Sequence, residues 1–396
     1  MKTLAYIICY LIYPFSFLLP RSSRRMVFGS YRGSFSDNSK YLFIYALEHC
    51  PDKDICWLSI NRATVRRVKQ LGLPAYWVFT PIGIWKALRA KYWFVNSYAS
   101  DILFCLSGRA TIVNLWHGVG LKRCEFNITS GALAERFVKQ TFKERFYHPE
   151  SFRRPDYVVS STDFQSSMFA TAFRVPVEKC LNLGYPRNTI LTKPKNEVLA
   201  FVQRLEPKST EALINKISAF ATVYMYMPTW RDSQLNVFAQ QFDLPAMNKV
   251  LAEQNAILLL KPHPNTHTED ISGFSNIVLV EKTIDVYGVL PFTDVLITDY
   301  SSILYDYLLI PGKDVILFLY DYDDYVRDRD FFYPFAENVV GKQVSTFEEL
   351  KQVVVDKDFK LDNSARQAIL DKFWGETMKS GNDVCHNILV KLGLTE

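Results

Sequence analysis

Much of what would mark a chain of this size as a metalloprotein, a nucleotide-loop enzyme or a nucleic-acid binder is missing here. The seven cysteines (Cys9, Cys50, Cys56, Cys105, Cys124, Cys180 and Cys385) are scattered, odd in number and without a CxxC pair. A reduced, cytosolic chain without a disulfide framework is the simplest reading. No metal-spaced His/Cys set, glycine-rich dinucleotide loop or P-loop is present, so no cofactor is expected and no metal ligands are assigned. The net charge is only +5, with no concentrated basic face or RNA-binding motif, which argues against a nucleic-acid partner. Repeats and low-complexity segments are absent as well. The longest apolar run, Leu4 to Leu19, is broken by Pro14 and falls short of the roughly 20 residues that a spanning helix needs. It also lacks the small-residue site at which a signal peptide is cleaved.

What remains is a chain of 396 residues, 48% hydrophobic, long enough for two or three domains with substantial cores. Short apolar runs alternate with helical patterns, which implies parallel sheets covered on both faces. In the first half, strands are expected at Arg25 to Gly29, Asp54 to Leu58, Tyr92 to Asn96, Thr111 to Leu115 and Tyr157 to Ser160, with helices at Lys40 to His49 and Pro81 to Ala90. In the second half they are expected near Thr222 to Met225, Ala256 to Leu260, Ile277 to Val280, Val295 to Ile297 and Val315 to Leu317. The polar stretch Thr189 to Glu197 reads as the linker. The expected division is an apolar membrane-associating segment at 1–25, an α/β domain at 26–190 and a second at 196–396. A last helical pattern, Ala365 to Leu392, is long enough to cross back to the first domain.

Four of the strands end in polar clusters. The run ending at Leu115 is followed by Trp116-His117-Gly118-Val119-Gly120-Leu121-Lys122, which sets a lone His at a strand end before a flexible, basic turn. Ligands of α/β proteins bind there, and a neutral imidazole can take a proton from a hydroxyl near pH 7. Taken alone, a His hydrogen-bonded within a turn is the better explanation. Thr229 and Arg231 follow a second strand, and the guanidinium fork of Arg231 suits phosphate oxygens. Lys261 and His263 follow a third, between two prolines that stiffen the exit. After the fourth come Asp299, Ser301 and Ser302, the serines placed to cap a helix that also carries Asp306. Together these clusters equip the chain for a diphosphate and a proton transfer.

With these segments in view, the chain resembles the CDP-glycerol glycerophosphotransferase family, the teichoic-acid primases and polymerases and their relatives. The resemblance rests on Trp116 to Lys122, Pro228 to Asp232, Pro262-His263 and Thr298 to Ser302, in that order, with Ser36 to Tyr41 and Gly184 to Asn188 in support. Two departures stand out: Val119-Gly120 replaces the family's Thr-Pro, and Thr189 stands where an acidic residue is common. The resemblance implies an α/β, GT-B-like fold of two doubly wound parallel-sheet domains facing a cleft. It further implies transfer of glycerol phosphate or a similar polyol phosphate from CDP-glycerol or CDP-ribitol to a hydroxyl of a lipid-linked or polymeric glycan acceptor, releasing CMP. His117 and His263 are then the catalytic candidates. Thr229, Arg231, Lys261, Asp299, Ser301, Ser302 and Asp306 are those for the donor. A sugar-nucleotide glycosyltransferase of the same architecture is the rival enzyme, and a membrane-associated scaffold the non-catalytic alternative.

Two segments bear on location. Leu4 to Leu19, followed by Arg21, Arg24 and Arg25, suits a segment lying in the inner leaflet with its cations at the headgroups, or else a buried first helix. Gly131 to Tyr147 places Leu133, Phe137, Val138, Phe142 and Phe146 at helical spacing among basic residues, the pattern of a helix on an anionic membrane surface. A peripheral protein on the cytoplasmic face of a bacterial inner membrane is the resulting expectation.

Overall fold

Apolar runs without alternation belong in strands covered on both faces, and among the described residues thirteen such strands fall into two all-parallel sheets. The computed structural model describes residues 2–131, 133–229, 241–262, 271, 273–328, 330–379 and 383–396, without the side chains of 2, 328, 376, 377 and 379. The chain forms two units, Met1–Thr189 together with Phe373–Glu396, and Ile190–Lys372.

The first unit contains β1 (Ser22–Phe28), β2 (Asp54–Ser59), β3 (Ala75–Trp77), β4 (Ala90–Val95), β5 (Thr111–Asn114), β6 (Tyr157–Ser160) and β7 (Cys180–Asn182), in spatial order β3-β2-β1-β4-β5-β6-β7. Val27 and Phe28 of β1 and Trp93 to Val95 of β4 are buried, and the rings of Phe28 and Phe94 stack with centroids 4.6 Å apart. Each such side chain contributes about 1.5–3 kcal/mol by leaving water. The helices are α1 (Lys2–Phe15), α2 (Asp37–His49), α3 (Arg62–Gln70), α4 (Pro81–Arg89), α5 (Ala134–Phe137), α6 (Phe142–Tyr147) and α7 (Asp163–Phe173). Gly29, just past β1, has a packing reason: a Cβ there would meet the Ile102 side chain at 2.5 Å and the Asp101 carbonyl oxygen at 2.8 Å.

The second unit carries β8 (Thr222–Met227), β9 (Ala256–Leu260), β10 (Ile277–Leu279), β11 (Val295–Thr298), β12 (Asp314–Phe318) and β13 (Lys342–Val344), in order β10-β9-β8-β11-β12-β13. In both sheets the chain starts at a central strand, winds outward to one edge, then returns beside its starting strand and winds to the other. The strand order therefore reverses between β1 and β4 and between β8 and β11, which opens a crevice beyond the carboxyl ends of those strands.

Three expectations need correction. Gly131 to Tyr147 is not one helix: Gln140 takes a left-handed φ of 50°, and Thr141 starts α6 afresh by accepting the Glu144 N–H with its side chain. A threonine is a better N-cap than helix interior, and that preference outweighs the apolar spacing. The final helical pattern is two helices, Asn363–Lys379, kinked at Gly375 (φ 56°), and Val384–Lys391. The second unit therefore closes at Lys372 rather than running to the chain's end. Beyond that point the Phe373 carbonyl accepts the Ser161 hydroxyl at 2.5 Å and Trp374 packs edge-on to Tyr185, which anchors the last helices in the first unit.

The third correction concerns the N-terminal arginines. Arg21 is no headgroup cation: its guanidinium donates to the carbonyls of Ala87, Ala90, Leu106 and Gly108, and burial pushes its pKa down to about 10. Arg25 is ion-paired with Asp54 at 3.1 Å, while Arg24 is exposed. Helix α1 docks through Tyr13, stacked on Phe104, and Ser16, whose hydroxyl accepts the Gly108 N–H. It is not a buried core helix, since Leu4, Leu11 and Phe15 are each more than 60% exposed. Among the described residues no helix is long and apolar enough to cross a membrane.

Candidate functional site

His117 stands three residues beyond β5, on a turn that the sequence holds tightly. Asn114 accepts the Trp116 N–H at 2.9 Å, an Asx-type turn that drives Trp116 to φ 52°. A tryptophan in that left-handed region is sterically costly, and it is retained because its ring packs on Phe169 and Phe173 of α7. The His117 ring lies against the same indole, centroids 3.9 Å apart, with Nδ1 3.5 Å from the Asn96 carbonyl oxygen. His117 itself is exposed. Of the two glycines that follow, Gly118 uses its freedom (φ 117°), whereas Gly120 serves through its N–H, donated to the Gln165 side chain at 2.9 Å.

Two distant segments clamp this turn. Arg187 donates to the His117 carbonyl at 2.8 Å and to the Asp37 carboxylate at 2.7 Å. Asn38 donates to the Trp116 carbonyl at 2.8 Å and accepts the Arg187 N–H at 3.0 Å. Asp37, Asn38 and Arg187 thus join residues about 70 and 150 positions apart around one histidine. Sequence reasoning noted both segments without giving these residues a role. The signal available was a set of polar residues with strong hydrogen-bonding capacity at the start of a helix and in a Gly-Tyr-Pro turn.

The second unit brings together Thr229 and Asp299, which lie beyond the adjacent strands β8 and β11, at the reversal of strand order. The Thr229 N–H donates to both Asp299 oxygens at 2.9 and 3.0 Å, and its hydroxyl donates to Oδ1 at 2.5 Å. Asp299 is fully buried, so its carboxylate fixes the β8 exit rather than capping the following helix. Ser301 and Ser302 are half-buried beside it. Ser301 accepts the Ile303 N–H at 3.4 Å, Ser302 makes no side-chain cap bond, and the helix Ile303–Tyr307 has only five residues, so little helix dipole is available.

Two expected donor residues are occupied otherwise. The Lys261 ammonium donates to the carbonyls of Glu281 (2.5 Å) and Ile284 (3.2 Å), and burial pushes its pKa down to about 8. Asp306 lies in the core, where it accepts the Tyr287 hydroxyl. Both hold structure behind the strand ends. Arg231 and His263 lie outside the described residues. Among the described residues no three His, Cys, Asp or Glu side chains are grouped to hold a metal ion.

A family model described as CDP-Glycerol:Poly(glycerophosphate) glycerophosphotransferase matches residues 11–389. The chain is 27% identical over 373 residues to the teichoic acid glycerol-phosphate transferase of Staphylococcus aureus, covering 91% of this chain and 92% of that protein. To the teichoic acid poly(glycerol phosphate) polymerase of Bacillus subtilis it is 26% identical, covering 87% of this chain and 45% of that one, so it spans less than half of that polymerase. The solved structure of the wall teichoic acid polymerase TagF superposes with a TM-score of 0.75 at 23% identity, covering 99% of this chain and 98% of that one. A variant of the same polymerase, solved after a soak with CDPG, superposes with a TM-score of 0.73 at 22% identity, covering 99% and 96%.

Proposed function

Because the chain belongs to the CDP-glycerol:poly(glycerophosphate) glycerophosphotransferase family, with two parallel-sheet units of GT-B-like fold, we propose that it transfers glycerol phosphate from CDP-glycerol to a hydroxyl of a lipid-linked or polymeric acceptor. The acceptor oxygen forms a bond to the β-phosphorus, the bond from that phosphorus to the bridging oxygen breaks, and CMP departs. The acceptor proton passes to the His117 imidazole. Such a displacement needs positioning and charge stabilisation more than covalent chemistry from the protein. The observation that carries the reading is the clamp on the His117 turn, whose backbone carbonyl receives Arg187 and whose exposed imidazole lies against the Trp116 indole.

The donor diphosphate is assigned to the strand ends of the second unit. Ser301 and Ser302 are the hydroxyl donors there, Thr229 shapes the site through its bonds to Asp299, and Arg231 and His263 supply the cation and the second imidazole. Lys261 and Asp306 support that surface from behind. Ribitol phosphate is the alternative donor group, since CDP-ribitol presents the same cytidine diphosphate. Incubation with CDP-glycerol, CDP-ribitol and UDP-sugars should release CMP from one of the first two. Release of UDP alone would transfer the chain to the sugar-nucleotide glycosyltransferases, and release of neither would make it a scaffold.

Calorimetry checks the donor assignment. Arg231→Ala, His263→Ala and Thr229→Val should each weaken CDP-glycerol binding about tenfold, on the scale of one charge-assisted or buried hydrogen bond. Unaltered affinity in all three would move the diphosphate elsewhere.

The same reading places the chain on the cytoplasmic face of the membrane, with an anionic lipid surface as partner. It is supported by the outward face of α1 and by Phe142 of α6, which is 84% exposed. An apolar patch of this extent on a folded chain marks an interaction surface. The substitutions Leu11→Glu and Phe15→Glu together should cut co-sedimentation with phosphatidylglycerol-containing vesicles at least about tenfold, because each removes a large apolar side chain from the lipid. Both positions are exposed, so the helix stays docked through Tyr13 and Ser16. Binding equal to that of the parent chain would remove α1 from the membrane.

A further inference from the structure

The first unit contains an open cavity of about 680 Å³, solvent at its mouth included, lined by Arg153 and by three further arginines, Arg145, Arg154 and Arg174. None of the three has an ion-pair partner among the described residues. Burial first, and then the positive charges of Arg154 and Arg145, hold the Arg174 guanidinium below its ordinary pKa. A cluster of like charges that no carboxylate neutralises is unfavourable unless an anion shares it. By contrast, Arg153 on the cavity wall is committed to the carbonyls of Ser107 and Ala110 and is structural.

The backbone supports the same conclusion. Arg174 is the C-cap of α7 in the left-handed region (φ 55°), a position at which glycine or asparagine avoids the steric cost. Its guanidinium lies 3.4 Å from the centroid of the Phe126 ring. Glu125, on the preceding turn, is also left-handed (φ 51°). Two left-handed non-glycine residues therefore flank this one cavity, a strain that a bound ligand would offset. Glu125 is the one carboxyl lining the cavity, and its charge opposes an anion only in part. It accepts the Tyr98 hydroxyl at 2.5 Å, and burial pushes its pKa up to about 7.

The neighbourhood identifies the anion's carrier. Arg145 belongs to α6, the helix that presents Phe142 outward and stacks Phe146 on Tyr10 of α1 at 5.5 Å. The Tyr10 hydroxyl donates to the Arg145 carbonyl at 2.9 Å. The arginine cavity therefore shares α6, through Arg145, with the exposed apolar face, so a molecule can place phosphate oxygens among the guanidinium groups and its chains along α1. Arginine forks match phosphate geometry. We propose that this cavity holds the phosphate of a membrane-borne lipid. The assignment rests on the membrane reading of α1 and α6 and adds to it a specific headgroup site.

The test is calorimetric titration of the full chain with water-soluble dihexanoyl phosphatidic acid and, separately, with inorganic phosphate. Saturable one-to-one binding of the phosphatidate, tighter than that of inorganic phosphate, is expected. The double variant Arg154→Gln, Arg174→Gln should weaken it about a hundredfold, on the scale of two lost charge-assisted hydrogen bonds. Lys139→Gln with Lys143→Gln, which removes the same charge from the same region outside the cavity, should change it less than about threefold. Equal losses in the two double variants would reduce the effect to general surface charge and overturn the cavity. Inorganic phosphate binding as tightly as the phosphatidate would overturn the lipid. Should the arginine pair fail to fold, as judged by circular dichroism, Arg154→Gln alone repeats the measurement at an exposed position. CMP release by the unsubstituted chain is scored independently. A chain that binds phosphatidate yet releases no CMP loses the transfer reaction and keeps the site, and the reverse result loses only the site.

Discussion

His117→Ala should release CMP from CDP-glycerol at least about a hundredfold more slowly than the parent chain, the scale on which a general base is lost. The expectation follows from what the substitution leaves in place. The His117 carbonyl, which receives Arg187, belongs to the backbone and survives. Trp116 keeps its packing on Phe169 and Phe173, and the replaced side chain is exposed, so the fold loses little. Donor affinity measured by calorimetry should also stay within about threefold, because the diphosphate contacts are assigned to other residues. A fall in turnover at saturating donor with unchanged affinity is the signature of an interaction made only in the transition state. Turnover near that of the parent would end the assignment of His117 as base. A large loss of donor affinity would instead place the imidazole on the diphosphate.

The strand ends were legible in the sequence because α/β chains repeat a simple grammar, and its clearest instances came through intact. Ala256–Leu260 is five apolar residues buried on both faces, and Tyr157–Ser160 follows a proline-bearing loop, so both strands have the expected bounds. β3, β7 and β13 were not legible. Each is three residues long and mixed in composition, whereas the equally short β10 is read because Ile277–Leu279 is an unbroken aliphatic run. The site divides in the same way. That Thr229 and Asp299 end strands can be read locally. That they bond to each other depends on β11 returning beside β8, a pairing across 70 residues. Lys261 shows the opposite failure: its position at a strand end was read correctly, but its ammonium turns to the 281–284 carbonyls, which no local pattern encodes.

Arg187→Ala is expected to have the other large effect, through position rather than chemistry. The guanidinium is 8% exposed and bridges the Asp37 carboxylate to the His117 carbonyl. Truncating it removes the hydrogen bond that fixes the turn and leaves Asp37 without this cation. Breaking such a largely buried pair costs about 3–5 kcal/mol, so a lower melting temperature is part of the prediction. If stability were all that Arg187 supplied, turnover per folded molecule at low temperature would match that of the parent. The clamp predicts otherwise: turnover should fall about ten- to a hundredfold with donor affinity unchanged, since a misplacement of about 1 Å at a reacting group carries a loss of that order. The decisive measurement is the double variant with His117→Ala. Residues that act through one another are not additive, so adding Arg187→Ala to a chain already lacking the imidazole should cost less than about threefold in turnover. Full additivity would separate Arg187 from His117 and leave the Asp37–Arg187 pair as a support of the fold alone.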